Sequence, residues 1–284
     1  MVLVPEELDE RRRMMDALDV PVVKHFASTL TEVPSQLKVV CFNIQRGQRI
    51  LKVLGALKTH PELKDAHVIA LQEVDRWNVR TGSLDLASMI AREMEMNLVY
   101  GVEFFELNQG RPSGSGGGDH GNAILTRLPF EAPRIIPLPM GYDWSRSRIQ
   151  PRLGRRMAIA VDLLWGHHRI ALINAHLENQ CLGRRRMAQV EAILAAEEPA
   201  IRRGPSLLMG DMNTFFYKEP RTLSTLASER GFVDVMPRSP RGTWGPFFKL
   251  DWIFARGLEA DASGVSRDVR SSDHKPLWAQ FRMP

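Results

Sequence analysis

The chain has 284 residues, with 38 Lys and Arg against 33 Asp and Glu, a formal charge of +5 and 44% hydrophobic residues. That length allows one large α/β domain or two small ones around a substantial core, and no apolar run approaches the roughly 20 residues that a membrane-spanning helix requires. The basic balance favours a polyanionic partner or an anionic substrate without choosing between them.

Residues 5–18 open with a proline and carry Leu8, Met15 and Leu18 at helical spacing, which predicts a short amphipathic leader helix. Acids and arginines enter "MVLVPEELDERRRMM" before any apolar signal-peptide core develops, so a cytoplasmic protein is expected. "TEVPSQ" breaks the pattern, separating a leader over 1–36 from a single domain over 37–284. "LKVVCFNI" reads as a strand running into a polar edge, and "ILKVLGAL" places Ile50, Val53, Leu54 and Leu57 on one helical face. "HVIALQE" is a second buried strand that ends in amide and acid. "LDLASMIAREM" predicts a helix, and "LVYGVEFFEL" one or two strands. The glycine, serine and proline of "NQGRPSGSGGGDHG", residues 108–121, predict a mobile surface loop. Polar motifs on its two sides need each other, so it is read as a loop within one domain.

"NAILTRL" follows, then a proline-punctuated segment to Pro151. "RMAIAVDLLW" and "HRIALINAHLE" read as paired strands around a "GH" turn. Residues 182–197 predict a helix with Leu182, Met187, Val190, Ile193 and Leu194 inward and Arg184, Arg185 and Gln189 outward. "PSLLMGD" is a strand ending at Asp211, "STLASERG" a helix with a glycine stop, and "KLDWIFARG" and "KPLWAQF" are late strands. Crossovers early and adjacent strands in the middle disfavour a purely parallel nucleotide-binding sheet. They favour two mostly antiparallel sheets covered by helices. Cys41 and Cys181 share no CxxC or metal-ligand spacing and are expected to be packing residues.

Apolar runs end repeatedly in polar side chains: "VVCFNI" holds Asn43, "IALQE" ends in Glu73, "ALINAH" in His176, and "SLLMGD" in Asp211 with Asn213 two positions on. "SSDH" supplies Asp273 and His274, and "KLDWIF" carries Asp251 at the start of a strand. One such residue is weak evidence, because carboxylates and amides are commonly exposed. Their recurrence at equivalent places is the stronger observation. Asn, Glu and Asp oxygens suit Mg²⁺ or Mn²⁺, and no Cys/His cluster suggests zinc. No GxxxxGK[ST] and no GxGxxG following a strand is present, and GxSxG is absent, which removes the usual phosphate cradles and the serine elbow. Two histidines, several acids and a metal point to attack by water on an electrophile such as a phosphoester.

The ordered set "CFNIQRG", "IALQEVD", "HGNAILTR", "INAHLE", "LLMGDMN", "LDWIF" and "SSDHKPL", within residues 37–281, resembles the endonuclease/exonuclease/phosphatase (DNase I-like) superfamily of metal-dependent phosphodiesterases. The resemblance implies a four-layer α/β sandwich, two mostly antiparallel β-sheets packed face to face and flanked by helices, with the site where the strand-end loops meet. It implies hydrolysis of a phosphodiester by an activated water with Mg²⁺ or Mn²⁺. Asn43 and Glu73 would be metal-side ligands and Asp273 would complete that site. His274 would activate the water and Asp251 orient it. Asp211 and Asn213 would position nucleophile and phosphate, His176 would hold a non-bridging oxygen or assist the leaving group, and Arg156 would contact phosphate. His120 precedes "GNAIL", where many relatives carry a phosphate-side group, and is a further substrate-binding candidate.

Substrate choice is less determined. "WSRSRIQPRLGRR" crowds Arg146, Arg148, Arg152, Arg155 and Arg156 beside Trp144, and guanidinium forks with a stacking indole suit nucleic acid. Arg152, Arg155 and Trp144 therefore join the candidates, although strand alternation would send only one of Arg155 and Arg156 toward the site. Met140, Trp144 and Trp244 would equally suit an apolar pocket for a lipid or sugar phosphate. "NIQRG" offers Arg46 where abasic-site endonucleases carry an acid. The readings are a phosphodiesterase acting on DNA or RNA, a hydrolase of a small or lipid phosphoester of inositol phosphate or sphingomyelin type, and a non-catalytic nucleic-acid or phosphoinositide binder. A monomer is expected. Phe215, Phe216 and Tyr217 either anchor the loop after "GDMN" or shape a leaving-group pocket.

Overall fold

The computed structural model describes residues 5–28, 32–107, 117–216, 218–236 and 242–282, with side chains from residue 9 onward. The glycine-rich run over 108–116 and Tyr217 lie outside the described residues, and so does the side chain of Leu8. The apolar runs form the strands of two sheets. The first has the order β1 (Val22–Lys24), β4 (Asn97–Glu106), β5 (Asp119–Thr126), β3 (Val68–Arg76), β2 (Leu37–Arg46), β14 (Leu277–Arg282) and β13 (Glu259–Val265), with β7 (Arg152–Gly154) paired to β4. The second runs β11 (Val233–Asp234), β12 (Asp251–Arg256), β10 (Ser206–Asp211), β9 (His168–His176), β8 (Met157–Trp165) and β6 (Phe130–Pro137).

Each sheet is antiparallel except at one pair, β2 with β3 and β9 with β10. Parallel neighbours need a crossover rather than a hairpin. α2 (Ile50–Thr59) makes the first, burying Val53, Leu54 and Leu57, and α4 (Gly183–Ala196) with α5 (Glu198–Arg203) makes the second. A parallel pair also brings the carboxyl ends of both strands to one edge. Two such pairs therefore deliver the ends of four strands to the same rim, which is why residues far apart in sequence can meet there.

Strand alternation sorts the core into layers. Val39, Cys41, Val68, Ile159, Leu172 and Met209 fill the space between the sheets. Val40, Phe42 and Ile69 face α2 and α3 (Leu86–Glu93). Ile173, Leu208 and Phe254 face α4 and α6 (Lys218–Ser228). The result is the expected four-layer α/β sandwich. No helix among the described residues is long and apolar enough to cross a membrane. Cys41 is buried, and both cysteines are free.

Some local expectations need correction. Leu182 is 66% exposed, because it precedes α4 in extended conformation and helical spacing does not govern it. Gln189 faces inward: its Oε1 accepts from the Glu178 amide and its Nε2 donates to the Pro139 carbonyl, so burial leaves neither group unpaired. The leader is tied to the sandwich. α1 (Pro5–Ala17) is followed by buried Leu18, and β1 pairs with β4.

Candidate active site

His176, Asp211 and Asp251 lie side by side in register across β9, β10 and β12. Close approach of the first two strands depends on Gly210, whose φ is +147° and where a Cβ would meet the Ala175 carbonyl oxygen at 1.9 Å. Beyond Asp211 the chain turns at Asn213, which has a left-handed φ of 49°. The Asn213 amide donates to Asp211 Oδ1 (3.0 Å) and its Nδ2 to the Leu177 carbonyl (2.9 Å), so this side chain shapes the turn.

The "SSDH" turn reaches the same place from the other sheet. Ser272 Oγ donates to the Asn43 carbonyl at 2.8 Å and accepts from the His274 amide at 3.2 Å. His274 Nδ1 then lies 2.9 Å from Asp251 Oδ2, and its Nε2 lies 3.7 Å from Asp211 Oδ2. His176 Nε2 approaches the same Asp211 oxygen at 3.6 Å, and Asn43 Nδ2 donates to it at 2.9 Å. Asp251 Oδ1 is buried without a hydrogen-bond partner among the described residues. Burial works against a charged His274, yet Asp251 and Asp211 outweigh it and push the ring up to about 10. Burial also raises the Asp211 carboxyl, against the pull of His274.

Glu73 stands opposite, in an irregularity of the first sheet. Leu71 pairs with Ala123 and Val74 with Gly121, so Gln72 and Glu73 face the single residue Asn122, a bulge. Glu73 is left-handed (φ 55°), as are Gln45 and Arg46 on the adjoining strand. Its carboxylate hydrogen-bonds to none of the described residues, and Arg46 Nε is 3.9 Å away. Burial would raise this carboxyl, but His176, His120, Arg46 and His274 outweigh it and hold it far below the usual range. Glu73, Asn43 on the paired strand and Asp273 in the turn anchored to Asn43 carry hard oxygens of the kind that could hold Mg²⁺ or Mn²⁺. Asp211, Asp251 and His274 form a second cluster, their ligand atoms all within 4.8 Å of one another. Asp273 is exposed, and its Oδ2 accepts from Trp244 Nε1 at 3.1 Å.

Of the expected substrate-side residues, Arg156 is buried in the site: Nη1 donates to Glu103 Oε2 (3.0 Å) and lies 2.9 Å from His176 Nδ1. Arg155 is not brought to the site. It lies in the connection between β7 and β8 and pairs with Asp19 of the leader. Arg152 is buried with its guanidinium 4.8 Å from the Trp144 ring and Nε 3.1 Å from Glu106. Trp144 donates its indole N–H to Glu178 Oε2 at 2.9 Å. His120 is buried with Nδ1 2.9 Å from Asp75 Oδ1, and Arg80 grips the same carboxylate through two bonds of 2.6 and 2.7 Å.

Sequence reasoning missed the acids beneath these cations, Asp75, Glu103, Glu106 and Glu178, and the buried amides Asn122 and Asn174. Asp75, Asn122, Asn174 and Glu178 sat inside the quoted motifs "IALQEVD", "HGNAILTR" and "INAHLE". Glu103 was signalled only as an acid inside the strand pattern "LVYGVEFFEL".

The Endonuclease/Exonuclease/phosphatase family profile matches residues 40–274. A UPF0294 protein of Yersinia enterocolitica is 32% identical over 133 residues, 46% of this chain and 50% of the relative. The chain spans about half the length of the curated relatives it matches. Among solved structures, an endonuclease/exonuclease/phosphatase from Beutenbergia cavernae superposes with a TM-score of 0.67 at 18% identity, covering 88% of this chain and 72% of that one. D. rerio TDP2 complexed with single-strand DNA product superposes with a TM-score of 0.59 at 18% identity, covering 88% and 100%. Likeness at these identities concerns the fold.

Proposed function

Because the chain belongs to the Endonuclease/Exonuclease/phosphatase family, we propose that it hydrolyses a phosphodiester with a divalent cation and an activated water, within a catalytic domain over residues 37–284. The observation that carries this reading is the row His176, Asp211 and Asp251 in register, closed by His274 and faced by the uncommitted Glu73 carboxylate. Mg²⁺ or Mn²⁺ held by Glu73, with Asn43 and Asp273, would neutralise phosphate charge and ease deprotonation of water.

The chain's own groups supply the rest. Asp211 Oδ2 and His274 Nε2 are 3.7 Å apart and bracket the attacking water; with the ring held charged by its two carboxylates, the water's proton passes to Asp211. Asp251 on Nδ1 leaves Nε2 as the exchanging atom of the ring. Asn213 holds the turn that aims Asp211. Arg156, braced by Glu103, and His176 form a donor pair for a non-bridging oxygen, where fixed donors stabilise developing charge.

Nucleic acid is the favoured substrate class. Half-buried Trp144 offers a flat ring, with the buried Arg152 guanidinium 4.8 Å from it, and the chain carries net positive charge. A fold neighbour, TDP2, was solved with a single-strand DNA product. A small or lipid phosphoester is the second reading, favoured by Phe216, Phe247 and Phe248, exposed at 65%, 78% and 38%. The latter two lie on the Trp244 hairpin that bridges to His274.

Turnover of bis(p-nitrophenyl) phosphate, abolished by EDTA and restored by Mg²⁺ or Mn²⁺, tests the chemistry and separates an enzyme from a binder. Plasmid DNA, single-stranded DNA, RNA, inositol phosphates and sphingomyelin, each with Glu73→Ala as blank, then test the substrate class. Cleavage confined to the last two substrates would reverse the order of the two readings.

A further inference from the structure

Three consecutive features of the metal-side rim are strained or irregular: the β3 bulge, left-handed Glu73, and left-handed Gln45 and Arg46 on β2. Non-glycine residues keep such conformations only where surrounding structure fixes them. For the β3 bulge the fixing contact comes from the other sheet. Asn174, on β9 two residues before His176, is fully buried at the level of the bulge. Its Nδ2 donates to the carbonyls of Leu71 and Ala123, each at 2.9 Å. These two residues are the last opposed pair before the bulge. Asn174 Oδ1 accepts from Gln72 Nε2 at 2.7 Å, and Gln72 is fully buried and immediately precedes Glu73.

Both amide hydrogens and the amide oxygen of Asn174 are thus used on the bulge. The amide has one workable orientation, since exchanging its oxygen and nitrogen would set an oxygen against two carbonyl oxygens. Resting on the reading that Glu73 holds the cation, we infer that Asn174 is a positioning residue: it clamps the β3 bulge across the two sheets and so fixes where the Glu73 carboxylate points. Asn174 touches neither substrate nor cation. It acts through Leu71, Gln72 and Ala123. Because His176 lies two residues along the same strand, the clamp also sets the spacing between the metal side and the donor side of the site.

The test compares Asn174→Leu with Leu172→Ala, a core truncation on the same strand between the sheets, chosen for a similar fall in Tm. Hydrogen exchange over 70–75 and 120–124 reads the clamp without metal or substrate. Asn174→Leu is expected to exchange there at least tenfold faster than Leu172→Ala. Mn²⁺ binding, followed by the spin-resonance signal of the free ion, reads Glu73, and Kd is expected to rise at least tenfold in Asn174→Leu alone. In turnover, kcat falls while KM at saturating Mn²⁺ stays within threefold. Equal exchange in the two variants overturns the clamp, as does a Kd within twofold of wild type. A wild-type protein that binds no Mn²⁺ and hydrolyses no phosphodiester sinks the functional reading instead, and exchange still decides the clamp. If Asn174→Leu does not fold, Gln72→Met is read the same way, with at least threefold changes expected.

Discussion

Asn43 and Asp211 join the two sheets at the rim through a single hydrogen bond, Asn43 Nδ2 to Asp211 Oδ2 at 2.9 Å, with both side chains almost wholly buried. The Asn43 Oδ1 accepts from the Gln45 amide at 3.0 Å, so one amide ties the strained β2 end to the acid at the centre of the site. Asn43→Ala removes the donor and leaves a buried carboxylate oxygen less satisfied, at a cost of about 1–3 kcal/mol. The expected result is a measurable fall in Tm and a loss of at least about tenfold in kcat. Activity within twofold of wild type would remove Asn43 from the site.

His274 and Asp251 should behave as a hierarchy. Deleting a group that moves a proton costs about two to four decades in rate, so His274→Ala should lose more than about 100-fold in kcat with an unchanged circular-dichroism spectrum. Asp251→Asn keeps shape and a contact to Nδ1 but favours the other tautomer. It should also lose activity, and adding it to His274→Ala should cause little further loss, because its effect runs through the ring. Steady-state kinetics of the single and double variants check this. Multiplicative losses would show that Asp251 acts independently.

The adjacent arginines make a contrast that needs no structural change to read. Arg156 is buried against Glu103 and His176, whereas Arg155 points outward to Asp19. Arg156→Lys loses the fork geometry and should lower kcat/KM by at least about tenfold. Arg155→Ala removes a partly exposed pair worth under about 1 kcal/mol and should leave kcat/KM within twofold. Equal losses in the two variants would mean that the outward arginine meets substrate.

Much of this was legible because strands announce their ends. Asn43, Glu73, His176 and Asp211 each close an apolar run, and two parallel strand pairs carry those ends to one rim. Alternation said that only one of Arg155 and Arg156 would reach the site, and the family resemblance pointed to Arg156. What alternation could not supply was the inner lining: Glu103 and Asn174 lie within strands whose pattern gives no sign of which strand of the other sheet they face. Bulges are equally silent, since the residue that interrupts the β3 register, Glu73, looks in sequence like an ordinary strand end. The outward placement of Gln189 failed for a related reason, because the loops that satisfy its amide are remote in sequence.

A final expectation concerns stability and pH, away from the active rim. His67 is more than half buried, and its Nδ1 accepts the Lys38 amide N–H at 3.0 Å. Burial lowers its pKa from 6.5, with the positive charges of Arg127 and Lys38 acting in the same direction and Asp65 against them. The folded protein therefore binds this proton less readily than the unfolded chain. Its contribution to stability is fully present above about pH 6.5 and is lost as pH falls from there toward the lowered folded value. Protonation at Nδ1 would also turn the acceptor into a donor facing a donor. His67→Gln retains an acceptor and removes the titration. The difference in Tm between wild type and this variant should be constant from about pH 8 to pH 7 and should shift against the wild type at about pH 5. A difference that stays constant across the whole range would show that His67 titrates alike in the folded and unfolded chains.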